Sequence, residues 1–182
     1  MFIQTESTPN PLTLKFVPGV DVLGSGTALF TSDAEAKDSP LAKTLFRLDG
    51  VSAVFLGGDF ITVTKGVDFT WEVMKPLLLT AIMDHFVSGQ PVMAASTAAA
   101  QDYSQDSEIV KQIRELIDTR VRPAVAQDGG DIIFRGFVDG IVQLELHGSC
   151  SGCPSSTITL KNGIETMLKH YVPEVIAVEA VV

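Results

Sequence analysis

Cysteine is almost missing from this chain: two of 182 residues, Cys150 and Cys153. A fold held by disulfides needs more of them, spread along the sequence. Basic residues are also short, 13 Lys and Arg against 22 Asp and Glu, for a net charge of −9. That excludes a nucleic-acid binder, because phosphate contacts require clustered Lys and Arg. No apolar run approaches the ~18 residues of a membrane span. The N-terminal stretch Met1–Glu6 has no basic segment followed by an apolar one, and no Arg-rich, acid-poor character. The expected compartment is therefore a bacterial cytoplasm, with the mitochondrial matrix as the alternative for a processed form. Aromatics are sparse at 7%, yet hydrophobic residues reach 46%, enough for real cores.

What is present divides in two. Residues 90–103, which include Ala94-Ala95 and Ala98-Ala99-Ala100, lack an amphipathic period and read as a linker, or as an Ala-rich helical extension. Before it, residues 1–89 predict a small β-α-β-β-α domain. Leu12, Leu14 and Phe16 alternate with Thr13 and Lys15 as in a strand. A loop is expected from Pro18-Gly19 to about Lys37. Ser39-Pro40 opens a short helix with a serine cap and a first-turn proline. Val51–Leu56 and Phe60–Thr64 flank Gly57-Gly58-Asp59 as a hairpin. A closing helix places Leu79, Ile82, Met83 and Phe86 inward, and Pro76 either starts or kinks it. Phe69 and Trp71 are expected in the core.

Residues 104–182 predict α-β-β-α-β. Ile109, Ile113, Leu116 and Ile117 share a helix face, with Pro123 near its end and Gly129-Gly130 as its stop. Strands Asp131–Val138 and Ile141–His147 meet across Asp139-Gly140, a tight-turn signal. A helix with Leu160, Ile164, Met167, Leu168 and Tyr171 on one face follows, then a strand near Val175–Val181. Both halves together give an α+β chain of two small domains.

Both cysteines fall in the loop His147-Gly148-Ser149-Cys150-Ser151-Gly152-Cys153-Pro154, between strand and helix. Pro154 suits the first helical position and puts Cys153 at the cap, where backbone N–H groups favour a thiolate. Two intervening residues let both sulfurs reach one metal centre. The pair is half a site, since structural zinc and iron–sulfur clusters take four ligands. His85 and His170 lie late in their helices, and His147 reads as a solvated strand-end residue rather than a ligand. The simplest route to four thiolates is a two-fold dimer meeting at this loop. Two other readings stand beside it: a thiol–disulfide oxidoreductase using the CxxC, and a dimer-bridging structural zinc site. Asp128 and Asp131 around the Gly-Gly are expected to be solvated. No histidine–carboxylate pair accompanies Ser149, Ser151, Ser155 and Ser156, so no catalytic set is expected; these serines are assigned to hydrogen bonding at a cluster or to capping.

The run Arg122-Pro123, Gln127-Asp128-Gly129-Gly130-Asp131-Ile132, Gly140, Gly148–Thr157, Thr159-Leu160-Lys161, Gly163-Ile164-Glu165 and Pro173-Glu174-Val175 resembles the NifU-like C-terminal domain. Thr8-Pro9-Asn10-Pro11, Leu14-Lys15-Phe16, Pro18-Gly19, Ser39–Ala42 and Asp59–Val63 resemble the N-terminal domain that accompanies it in the mitochondrial and α-proteobacterial Nfu type. The resemblance implies an iron–sulfur carrier that is not an enzyme. It implies a [4Fe–4S] cluster shared by a homodimer, Cys150 and Cys153 of each chain as ligands, and transfer from an upstream scaffold to apo-proteins. It assigns the N-terminal domain to dimer geometry or client recognition.

Overall fold

The computed structural model describes residues 1–94, 107–150 and 154–181, the last segment with side chains from 157 onward. The chain separates into two compact units, Met1–Ala98 and Ala99–Val182.

The first unit is a five-stranded antiparallel sheet in the order β1-β2-β5-β4-β3, with two α-helices and a short 3-10 helix, Glu35–Asp38. β1 is Gln4–Ser7, β2 Thr13–Val17, β3 Ala28–Phe30, α1 Pro40–Phe46, β4 Val51–Leu56, β5 Ile61–Lys65 and α2 Trp71–Val87. Ser39 caps α1 as expected, its Oγ accepting from the Ala42 amide at 3.1 Å. Leu41, Leu45, Phe16, Ile61, Val63 and Ile82 are fully buried in one core. Two edge strands, β1 and β3, occupy ground that the sequence assigned to no element. One is polar, Gln-Thr-Glu-Ser, and the other has three residues, so neither carries a period.

The inward face of α2 differs from the expected one. Met74, Leu78, Ile82 and His85 are buried, whereas Met83 is exposed. This helix is apolar on nearly all sides, so periodicity alone does not choose its face. Pro76 lies inside it. Burial lowers the pKa of His85. Trp71 packs against the core as expected and donates Nε1–H to the Pro11 carbonyl at 3.1 Å. Phe69 stays 39% exposed, its ring covering Gly50. Residues 92–94 belong with this unit: Ser39 Oγ donates to the Val92 carbonyl at 2.7 Å, and the Ala94 amide donates to Asp38.

The second unit is the expected α-β-β-α-β. α3 is Glu108–Leu116, α4 Arg122–Gln127, β6 Gly130–Val138, β7 Ile141–Gly148, α5 Pro154–Tyr171 and β8 Ala177–Val181. A π-helical turn, Ile117–Val121, joins α3 to α4. The wider turn lets the chain continue through Pro123, which has no amide to donate and would crowd a regular helix. β6 and β7 pair antiparallel across Asp139 and Gly140, both with positive φ, 51° and 80°. That pair of angles matches the twist of a two-residue hairpin. β8 adds parallel to β7. Ile113, Ile117, Ile132, Leu144, Leu168 and Val178 form the core. No described helix is long and apolar enough to cross a membrane.

Candidate metal centre

The site begins at the α4–β6 junction. Gly129 takes φ +77°, the left-handed conformation that closes a helix at low cost in glycine. β6 starts at Gly130, which pairs with Gly148 at the end of β7. The chain then folds back over this junction. The Ser149 amide donates to the Gly129 carbonyl at 3.3 Å, and Ser149 Oγ donates to the Asp128 carbonyl. Ser149, 1% exposed, thus ties the loop to α4 rather than facing a cluster or capping a helix.

Cys150 follows this hook and is a free thiol, 6% exposed. Its sulfur lies where a side chain on Gly130 would be: a Cβ there would meet Sγ at 2.4 Å and the His147 carbonyl at 2.8 Å. Thr157 on α5 donates its hydroxyl to the Cys150 carbonyl at 3.2 Å. Burial pushes the thiol pKa up to about 11; the Ser149 hydrogen bond opposes this and the Asp128 and Asp131 charges add to it. The thiolate expected at a helix start concerns Cys153; at Cys150, before the helix, desolvation raises the pKa. Cys153 lies outside the described residues, as does Ser151. The side chains of Ser155 and Ser156 do too.

Asp131 is not solvated, contrary to expectation. Its side chain is 4% exposed and bridged by Arg122, whose Nε and Nη2 donate to Oδ1 and Oδ2, each at 2.8 Å. Arg122 also reaches Asp118 at 3.2 Å, and these partners raise its pKa against the cost of burial. Asp131 Oδ1 further accepts from the Ile132 amide at 2.8 Å. The fork-to-fork geometry fixes α4 against the first residues of β6. Asp128 is exposed, as expected.

His147 is also buried, 8% exposed rather than solvated. It lies on the sheet face away from the core leucines, directly opposite Asp131. Its Nε2 shares a 2.6 Å hydrogen bond with Glu145 Oε1. On the far side of Glu145, Arg135 approaches Oε2 at 2.5 Å. Arg135 then His147 lower the Glu145 pKa, and burial opposes them. His170 is exposed, its ring edge-on to Tyr171. Among the described residues, no three His, Cys, Asp or Glu side chains converge as a metal site. Cys150 contributes one soft donor of the kind iron and zinc take.

Comparison with known proteins decides the family. Residues 3–89 match the model described as "Scaffold protein Nfu/NifU N terminal". Residues 113–179 match that of the "NifU-like domain". A human protein named "NFU1 iron-sulfur cluster scaffold homolog, mitochondrial" is 55% identical over 183 residues, spanning 100% of this chain and 72% of its own length.

The chain belongs to the Nfu/NifU scaffold family.

A Drosophila virilis protein of the same name is 55% identical over 184 residues, and this chain spans 62% of it. The solved NifU-like protein of Saccharomyces cerevisiae is 25% identical, with a TM-score of 0.48 over 53% of this chain and 87% of that one. In this member of the Nfu/NifU family, the Cys150 sulfur lies buried where α4, the start of β6 and the end of β7 meet.

Proposed function

We propose that this chain is an iron–sulfur cluster carrier, not an enzyme. It takes a [4Fe–4S] cluster as cargo from an upstream scaffold, holds it across a homodimer and passes it to apo-proteins. The ligands are Cys150 and Cys153 from each subunit. One observation carries the reading: a free thiol in the strand-to-helix loop of a chain whose relatives are named iron–sulfur cluster scaffolds. The two cysteines of the sequence supply half of a four-thiolate set, so a second copy supplies the rest. Two ligands per subunit also suit release, because client thiolates can replace them one at a time. The N-terminal domain, residues 1–89, serves client recognition or dimer geometry, and residues 90–103, of which 92–94 pack on the first unit, lead to the cluster-binding residues 104–182.

The oxidoreductase alternative has a specific difficulty. An attacking cysteine in thiol–disulfide exchange is exposed and has a lowered pKa. Cys150 is buried, 6% exposed. The compartment follows the relatives, which are named mitochondrial; this supports the mitochondrial matrix over the bacterial cytoplasm.

Anaerobic reconstitution followed by iron, sulfide and zinc analysis tests the proposal. The expected product is brown, with about four iron and four sulfide per dimer. Cys150→Ser and Cys153→Ser each remove the colour without loss of far-UV circular dichroism. A colourless protein with stoichiometric zinc, or one that only cycles between dithiol and disulfide, would overturn it.

A further inference from the structure

The two glycines at the start of β6 have different reasons to be there. Gly129 needs its positive φ of +77°, whereas the backbone of Gly130 is not left-handed. What Gly130 requires is space. A Cβ at this position would stand 2.4 Å from Cys150 Sγ, 3.2 Å from Cys150 Cβ and 2.8 Å from the carbonyl of His147. The missing side chain therefore makes room for a sulfur and for a close backbone.

The loop around that sulfur is tied on both sides. Upstream, Ser149 hooks its hydroxyl and amide onto the Asp128 and Gly129 carbonyls. Downstream, Thr157 reaches from α5 to the Cys150 carbonyl at 3.2 Å. The result is a thiol packed into the core with Ile132, Leu144 and Ile164. A sulfur in this position is almost fully withdrawn from solvent and lies against Gly130. We propose that Gly130 is a positioning residue for Cys150: its bare Cα is a berth in which the metal-free protein keeps the sulfur turned inward, and capture begins when the sulfur leaves it. Thr157 and Ser149 hold the loop in the berthed arrangement. When the sulfur binds iron, its S–H bond breaks, the S–Fe bond forms and the proton passes to solvent. Berthing protects a thiol that would otherwise be open to oxidation whenever no cluster is bound. The inference rests on the carrier reading for its purpose, but the berth itself is a property of the metal-free chain.

The test is alkylation of the metal-free full chain by iodoacetamide, read at Cys150 by peptide mass. Native Cys150 is expected to react at least about tenfold more slowly than in the urea-unfolded chain. Gly130→Ala crowds the berth, and Thr157→Val removes only the tether on the Cys150 carbonyl. Each should raise the labelling rate severalfold. Leu168→Ala destabilises the same core without touching the berth, and it should leave the rate within about twofold of wild type. If Gly130→Ala does not fold, Thr157→Val decides alone. Labelling at the unfolded rate, an unchanged rate in the folded variants, or an equal rise in Leu168→Ala would each overturn the berth. Iron and sulfide analysis of a reconstituted sample separates the two ideas. No cluster with a protected thiol sinks the carrier and leaves the berth, and a cluster with an unprotected thiol does the reverse.

Discussion

Arg122 and Asp131 show what a single pair of side chains does for the site. Asp131 is buried, and its charge is tolerable because a planar guanidinium meets both oxygens and the Ile132 amide meets one again. Removing the arginine leaves a buried carboxylate with one donor fewer on each oxygen. The Arg122 side chain is 36% exposed, so part of the lost interaction is replaced by water. We expect Arg122→Ala to lower stability by roughly 2 kcal/mol, below the range for a fully buried pair. Urea unfolding of the second unit, followed by circular dichroism, measures this. Arg122→Lys should recover less than half, since an ammonium cannot form the fork. The sequence hid this pair. Arg122 and Asp131 are nine positions apart across a helix end and a strand start, and an aspartate beside Gly-Gly looks like a loop residue.

At the scale of elements, the β6–β7 hairpin carries its own electrostatic pattern. Register shifts between Phe134 and Gly136, so Arg135 is the extra residue of a bulge and has no partner across the ladder. It lies against Glu145, with His147 on the other side. The folded pKa of Glu145 is below its ordinary value, so the unfolded chain binds the proton more readily. The stability it contributes is therefore fully present above the unfolded value and is lost as pH falls through the folded one. Because Arg135 is 45% exposed, that contribution is about 1 kcal/mol or less. Glu145→Gln should unfold more easily than wild type near neutrality, and the two should converge in acid. Denaturant titrations at a series of pH values would show it, and a gap that stays constant into acid would contradict it.

Elements with a strong period or a strong stop were legible: α1 with its Ser39-Pro40 start, the Asp139-Gly140 hairpin, and the α5 face built on Ile164 and Leu168. β1, β3 and the inward face of α2 were not. A polar edge strand, a three-residue strand and an all-round apolar helix give no alternation to read. At the candidate site, the pattern of the sequence placed Cys150 just past a strand end, as the structure has it, but only packing shows that it points inward. That depends on what stands opposite it in β6, which is a matter of register rather than of sequence.

For the molecule as a whole, the decisive fact is that each core closes within its own unit. The first is built from residues between Ile3 and Met93, the second from residues between Ile109 and Val178. A unit that completes its own core has the means to unfold as its own cooperative step. The chain also supplies a built-in reporter, because its single tryptophan, Trp71, lies in the first unit. Ile82 and Leu144 are both at or near zero exposure, one in each core. Replacing either with alanine should cost about 2 to 5 kcal/mol. We expect Ile82→Ala to move the transition seen by Trp71 fluorescence, and Leu144→Ala to leave that transition in place while moving part of the circular dichroism signal. A shift of the fluorescence transition in Leu144→Ala would show instead that the two cores unfold as one. Under the carrier function proposed above the outcome matters, because independent steps would let the second unit open without loss of the first unit's surface.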